Sequence, residues 1–121
     1  MLFTSGTRTP EQSLTLERMP AMKISFPADL RSFSSEGPKK VPLAEGSHAR
    51  VTLWCLEPGQ EIHPHAHAGD HVWTVQDGEG WFLSGADAHA VAAGALVFAP
   101  AGEVHGMRAK TRLAFLSVSA G

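Results

Sequence analysis

Seven histidines occur in the chain, and four of them stand between positions 63 and 71. The segment runs Gly59-Gln60-Glu61-Ile62-His63-Pro64-His65-Ala66-His67-Ala68-Gly69-Asp70-His71. Imidazole nitrogen is a borderline ligand that suits zinc, copper, iron and nickel. Its reference pKa of about 6.5 makes the neutral ring plentiful near physiological pH. Such a cluster points to one bound divalent transition metal. His65 and His67 are two apart, and on a strand such residues project from the same face. Ala68-Gly69-Asp70 is a natural turn, after which His71 can approach from beside the first pair. His105 follows the turn Pro100-Ala101-Gly102 and can reach the same ion across a barrel. Four neutral nitrogens leave the charge of a divalent ion uncompensated, which strengthens its pull on water or an anion. Histidines also serve as plain hydrogen-bonding residues or as pH sensors. His63, followed by Pro64, is expected at the rim, and His48 and His89 at the surface or in loops.

Something must hold these residues in place, and the rest of the chain suggests how. From Ile24 onward it is a series of short apolar runs divided by turn residues. Arg50 to Leu56 is rich in strand formers and is closed by Pro58-Gly59. His71 to Gln76 is closed by Asp77-Gly78. Gly80 to Ser84, Ala88 to Ala92, Ala95 to Ala99, His105 to Ala109 and Arg112 to Val118 follow. Alanine is frequent from Ala86 to Ala95, but Gly85 and Gly94 leave little room for a helix. Regular short strands of this kind predict an all-β sandwich or barrel. Residues 1–22 form a separate N-terminal segment, in which Ser13 to Glu17 alternate and could pair with a second chain. Residues 23–121 form the barrel. Trp73 and Val75 share the parity of His71, and Met107 that of His105. With Trp54 and Phe98 they are candidate walls of a pocket for a small aromatic or enol substrate. Glu61, Asp70 and Glu103 are the carboxylates nearest the histidines in sequence.

Composition narrows the function classes. At 121 residues, with 43% hydrophobic and 18% charged, the chain suits one globular domain. A net charge of −2 and no basic run beyond Lys39-Lys40 argue against nucleic acid and anionic membrane as partners. No apolar stretch approaches the roughly 20 residues of a membrane span, and no secretory pattern opens the chain. A cytoplasmic location is the expectation. Cys55 is the single cysteine, so no internal disulfide forms. Among Leu53, Trp54 and Leu56 it is expected as a buried, inert thiol, with a thiol facing the metal as the alternative.

The two histidine regions together resemble the cupin family. Its first motif places a glycine, five residues, His-x-His, three or four residues, a glutamate, six residues and a glycine. Here these are Gly59, His65, His67, His71 and Gly78, with histidine in the glutamate position. Its second motif places a glycine, five residues, Pro-x-Gly, two residues, a histidine, three residues and an asparagine. Here these are Gly94, Pro100, Gly102 and His105, with Ala109 in the asparagine position. The match spans Gly59 to Ala109, under half the chain. The resemblance implies a double-stranded β-helix, or jelly-roll barrel, with each motif centred on a hairpin. It implies that His65, His67 and His105 are metal ligands, with His71 in the place of the glutamate ligand. That exchange resembles the small four-histidine cupins, some of which bind manganese, iron, nickel, copper or zinc. The resemblance further implies a homodimer and a small-molecule ligand. Three activities follow from it: a dioxygenase like those acting on diketones and flavonols, a non-oxidative isomerase, lyase or cyclase, and a sensor module without turnover.

Overall fold

The computed structural model describes residues 22–121, so the strand expected over Ser13 to Glu17 lies outside the described residues. Each run of strand formers becomes a strand: β1 (Lys39–Glu45), β2 (Ala49–Leu56), β3 (Glu61–His65), β4 (Asp70–Asp77), β5 (Glu79–Ser84), β6 (Asp87–Ala92), β7 (Leu96–Ala99), β8 (His105–Ala109) and β9 (Leu113–Ala120). The alanine-rich stretch is β6, paired with β5 from end to end; tertiary pairing overrides alanine's helix preference. Among the described residues the helical content is one 3-10 turn, Pro27–Leu30. No helix there is long and apolar enough to cross a membrane.

All pairings are antiparallel. They build a five-stranded sheet, β1-β2-β9-β4-β7, and a four-stranded sheet, β3-β8-β5-β6. Leu56, Trp73, Val75, Leu113 and Phe115 from the first sheet pack against Met107 and Ala109 from the second. The architecture is the expected double-stranded β-helix. Burying one side chain as large as Phe115 contributes about 1.5–3 kcal/mol, and this layer supplies much of the fold's driving force. On the opposite face of the larger sheet, Leu43, Leu53, Cys55 and Ala114 form a second cluster with Phe33 and Val41. Strand β2 is therefore apolar on both faces, which explains its near-continuous hydrophobic run.

The barrel interior changes character along its strands. Inward pairs of β2 and β9 run Leu56↔Leu113, Trp54↔Phe115, Thr52↔Ser117 and Arg50↔Ser119. Inward residues of β4 run Val75, Trp73, His71 beside the same β9 positions. One end is thus packed hydrocarbon, the middle is aromatic, and the other end is polar.

Three expectations need correction. β3 and β4 lie in different sheets, so the first histidine segment crosses between sheets and does not form a hairpin. Strand β3 ends at His65, which leaves His67 in the loop beyond it. Phe98 is 57% exposed on the outer face. Its neighbours Ala95 and Val97 pack on the core, and alternation turns Phe98 away from the pocket.

Candidate metal centre

His65 and His105 face each other as register partners on β3 and β8. They do so because β3 carries a bulge between Ile62 and His65. Ile62, opposite Met107, points inward; one extra residue restores inward parity at His65. His63 falls on the outer side, where its Nδ1 meets the Glu61 carboxylate at 3.2 Å. Pro64 is tolerated there because β3 is an edge strand and the bulge needs no ladder donor at that point. Gly106, next to His105, allows the close approach: a Cβ on it would fall on the Ile62 carbonyl oxygen.

The His67 loop is clamped by the turn after β7. Gly102, at φ +87°, donates its N–H to the His67 carbonyl at 2.8 Å. The Ala101 N–H donates to Asp70 Oδ1 at 2.9 Å. His71, in β4, arrives from the other sheet. Ring centroids are 4.2 Å apart for His65 and His67, 4.4 Å for His67 and His71, and 5.0 Å for His71 and His105. Ligand atoms of His67, His71 and His105 all lie within 4.8 Å of one another. His65 stands beside them, exposed at the mouth.

These rings are suited to hold a metal. Nδ1 of His65 donates to the His63 carbonyl, and Nδ1 of His105 to the Glu103 carbonyl, both at 2.9 Å. A carbonyl can only accept, so each neutral ring keeps its lone pair on Nε2. His105 Nε2 and His71 Nδ1 are buried without a hydrogen-bond partner among the described residues. Burial, then the nearby His67, His105 and His65, pushes the His71 pKa down to about 4. Burial, His65, His105 and Lys40 lower that of His67. Both rings are neutral at physiological pH and offer lone pairs without competing protons.

His65, His67 and His71 open on a cavity of about 460 Å³, with His105 buried behind them. Trp54 and Trp73 line it. Val75 and Met107 face inward but sit one layer deeper, inside the packed core. Lys40, Glu45, Arg50, Thr52, Ser117 and Ser119 also line it, and sequence inspection missed them. A signal existed: Arg50 and Thr52 share the parity of Trp54, and polar side chains at inward positions of a barrel demand a reason. Glu61, Asp70 and Glu103 are not among the lining residues. His89 is exposed and meets the Ser84 hydroxyl at 3.2 Å; His48 is exposed as well. Cys55 is buried on the far side of the larger sheet, so its thiol does not face the histidine cluster.

A model of the cupin domain matches residues 52–119. The chain belongs to the cupin family. No curated protein sequence matches this cupin. Among solved structures, the protein TT1209 from Thermus thermophilus is 31% identical with a TM-score of 0.77, covering 82% of this chain and 97% of that one. An RmlC-like cupin from Desulfovibrio desulfuricans is 26% identical with a TM-score of 0.78, covering 83% and 97%. The polyketide cyclase RemF from Streptomyces resistomycificus is 21% identical with a TM-score of 0.68, covering 83% and 80%, and shares the fold alone.

Proposed function

We propose that this cupin binds one divalent transition-metal ion (manganese, iron, nickel, copper or zinc) through His65, His67, His71 and His105, and acts as a dioxygenase on a small organic substrate that chelates through two oxygens. The supporting observation is the donor set: the imidazoles of His65, His67, His71 and His105 gathered together, with no carboxylate among them in the described residues. When bound, the ion supplies Lewis acidity, and redox chemistry where the metal allows it. The chain's own residues do the remaining work. The carbonyls of His63 and Glu103 fix two ring orientations. Trp54 and Trp73 give a planar substrate flat walls. The packed layer beneath, with Val75, Met107 and Phe115, excludes water from below. The cupin works as a homodimer, joined through the outer face of the larger sheet.

The test is oxygen uptake by protein loaded in turn with iron, manganese, copper and nickel, against a panel of diketones and flavonols. Oxygen consumption that matches substrate loss and stops on chelation is expected. No uptake across the panel sinks the reading. A second reading, a metal-assisted isomerase, lyase or cyclase, draws on Glu45, which lines the cavity. Product formed without oxygen would favour it, and ligand bound unchanged would favour a sensor.

A further inference from the structure

We propose that the indole N–H of Trp73 is a ligand-binding donor: it hydrogen-bonds to a substrate oxygen that keeps a free lone pair when bound, as an enolate or catecholate oxygen does. This rests on the chelation reading above and names the substrate class more closely.

Trp73 stands two residues after His71 on β4, and strand alternation turns both side chains to the barrel interior. It is 5% exposed, yet it lines the cavity together with His65, His67 and His71. Its ring centroid lies 4.9 Å from that of His105, 4.8 Å from Phe115 and 5.8 Å from Phe82. Its Nε1 is buried and has no hydrogen-bond partner among the described residues. A core tryptophan ordinarily finds a partner for that N–H when it is buried. A phenylalanine would fill the same hydrocarbon layer without leaving a donor to satisfy. The indole at this position therefore calls for a reason beyond packing.

Among the described residues, the buried side-chain polar atoms without a partner are Nε1 of Trp73, Nε2 of His105 and Nδ1 of His71. They sit on neighbouring rings, since His105 is 5.0 Å from His71 and 4.9 Å from Trp73 between centroids. Their chemistry separates them. His105 keeps a lone pair on Nε2, because its Nδ1 donates to the Glu103 carbonyl, and a cation can answer a lone pair. An indole N–H only donates, so a cation leaves it unanswered and an acceptor is required. The protein around it supplies none. The register neighbours of Trp73 are Ser117 on β9 and Val97 on β7, and neither takes the bond. The phenyl rings of Phe82 and Phe115 have no lone pair to offer. The cavity that Trp73 lines is the route by which an acceptor can arrive. A site that holds a buried donor beside its ligand rejects ligands without a matching acceptor, because the donor is then left unpaired.

The experiment titrates catechol into zinc-loaded and zinc-free protein, read by calorimetry and by the indole N–H signals in NMR; zinc is redox-inert. The chain has three tryptophans, and Trp54→Phe and Trp81→Phe assign the Trp73 signal by elimination. Catechol is expected to move that signal downfield. Trp73→Phe, which keeps an aromatic ring in the packed layer, is expected to weaken catechol binding about tenfold, the effect of one hydrogen bond to a charged acceptor, with zinc content unchanged. A Trp73 signal that stays in place at saturating catechol overturns the proposal, whether or not the phenylalanine variant folds; an ordered water would then be the only partner of the indole. A variant that binds catechol as tightly as the parent overturns it as well. If zinc tightens catechol but the Trp73 signal stays in place, the donor role falls and the chelation reading stands. If the signal moves and the variant binds more weakly while zinc makes no difference, the chelation reading falls and the donor role stands. Failure of catechol to bind either form overturns both.

Discussion

A protonated His71 would carry its charge into a space already shared with His67, His105 and His65, and partly out of water. This is why the ring stays neutral in the metal-free fold down to about pH 4. The unfolded chain takes up that proton near the ordinary value of 6.5. Between these values the unfolded state binds more protons, so stability rises with pH across the window. The contribution is fully present above about pH 6.5 and lost as pH falls toward 4. At about 1.36 kcal/mol per pH unit, discounted for solvent screening of a partly exposed ring, the loss is on the order of 1–2 kcal/mol. Urea titrations of metal-free protein across that range should show it, and His71→Gln should flatten it. The rings also differ in what their loss costs. His67→Ala removes a donor and should weaken zinc binding by more than the roughly 10–100-fold typical of supporting residues. His63→Ala, on the outer side of the bulge, should leave zinc affinity within about twofold, since only direct and supporting groups carry such penalties. Equal losses in the two variants would contradict this placement of the rings.

The elements that carry the rings were legible in the sequence to different degrees. Turn residues mark nearly every strand boundary, because proline, glycine and Asp-Gly act locally on φ and hydrogen bonding. Sheet membership was not legible: β3 pairs with β8 and β4 with β9, and such long-range pairing leaves no period in the chain. The bulge in β3 was missed for the same reason. Alternation alone puts His63 on the face of His65, whereas the partner strand absorbs an extra residue between Ile62 and His65. Gly106 escaped notice because its role is close approach to another strand. In Gly106→Ala the new Cβ would meet the Ile62 carbonyl oxygen and stand 2.8 Å from the Pro64 nitrogen. Neither atom can move without shifting β3. A loss of about 1–3 kcal/mol in denaturant stability should accompany a drop in zinc affinity, because the His65–His105 pairing is displaced. The loop clamp gives a milder case. Asp70→Ala removes the acceptor for the Ala101 N–H and should cost about 1 kcal/mol. It should lower zinc affinity by roughly 10–100-fold, as loss of a supporting shell does. Asp70→Asn retains an acceptor oxygen and should recover most of both.

At the scale of the whole molecule, the larger sheet has one face committed to the cavity and another that is too apolar for solvent. The row Val51↔Val118↔Val72↔Phe98 runs across four neighbouring strands. Leu96, two residues from Phe98 on the same face, is also exposed. Towards β2 this face is covered by Phe33 and the second core cluster; towards β7 no described residue covers it. Soluble monomers rarely leave contiguous apolar patches beyond a few hundred Å² uncovered. A flat sheet face of this kind matches a copy of itself under two-fold symmetry, where each Phe98 meets the partner's apolar row. Light scattering at micromolar concentration should therefore return twice the 12.9 kDa of one chain. Phe98→Ser with Leu96→Ser should shift the mass toward a single chain, while zinc content stays unchanged because neither side chain lines the cavity. A wild-type mass of one chain at every concentration would remove the dimer. A dimer indifferent to both substitutions would move its interface to another surface.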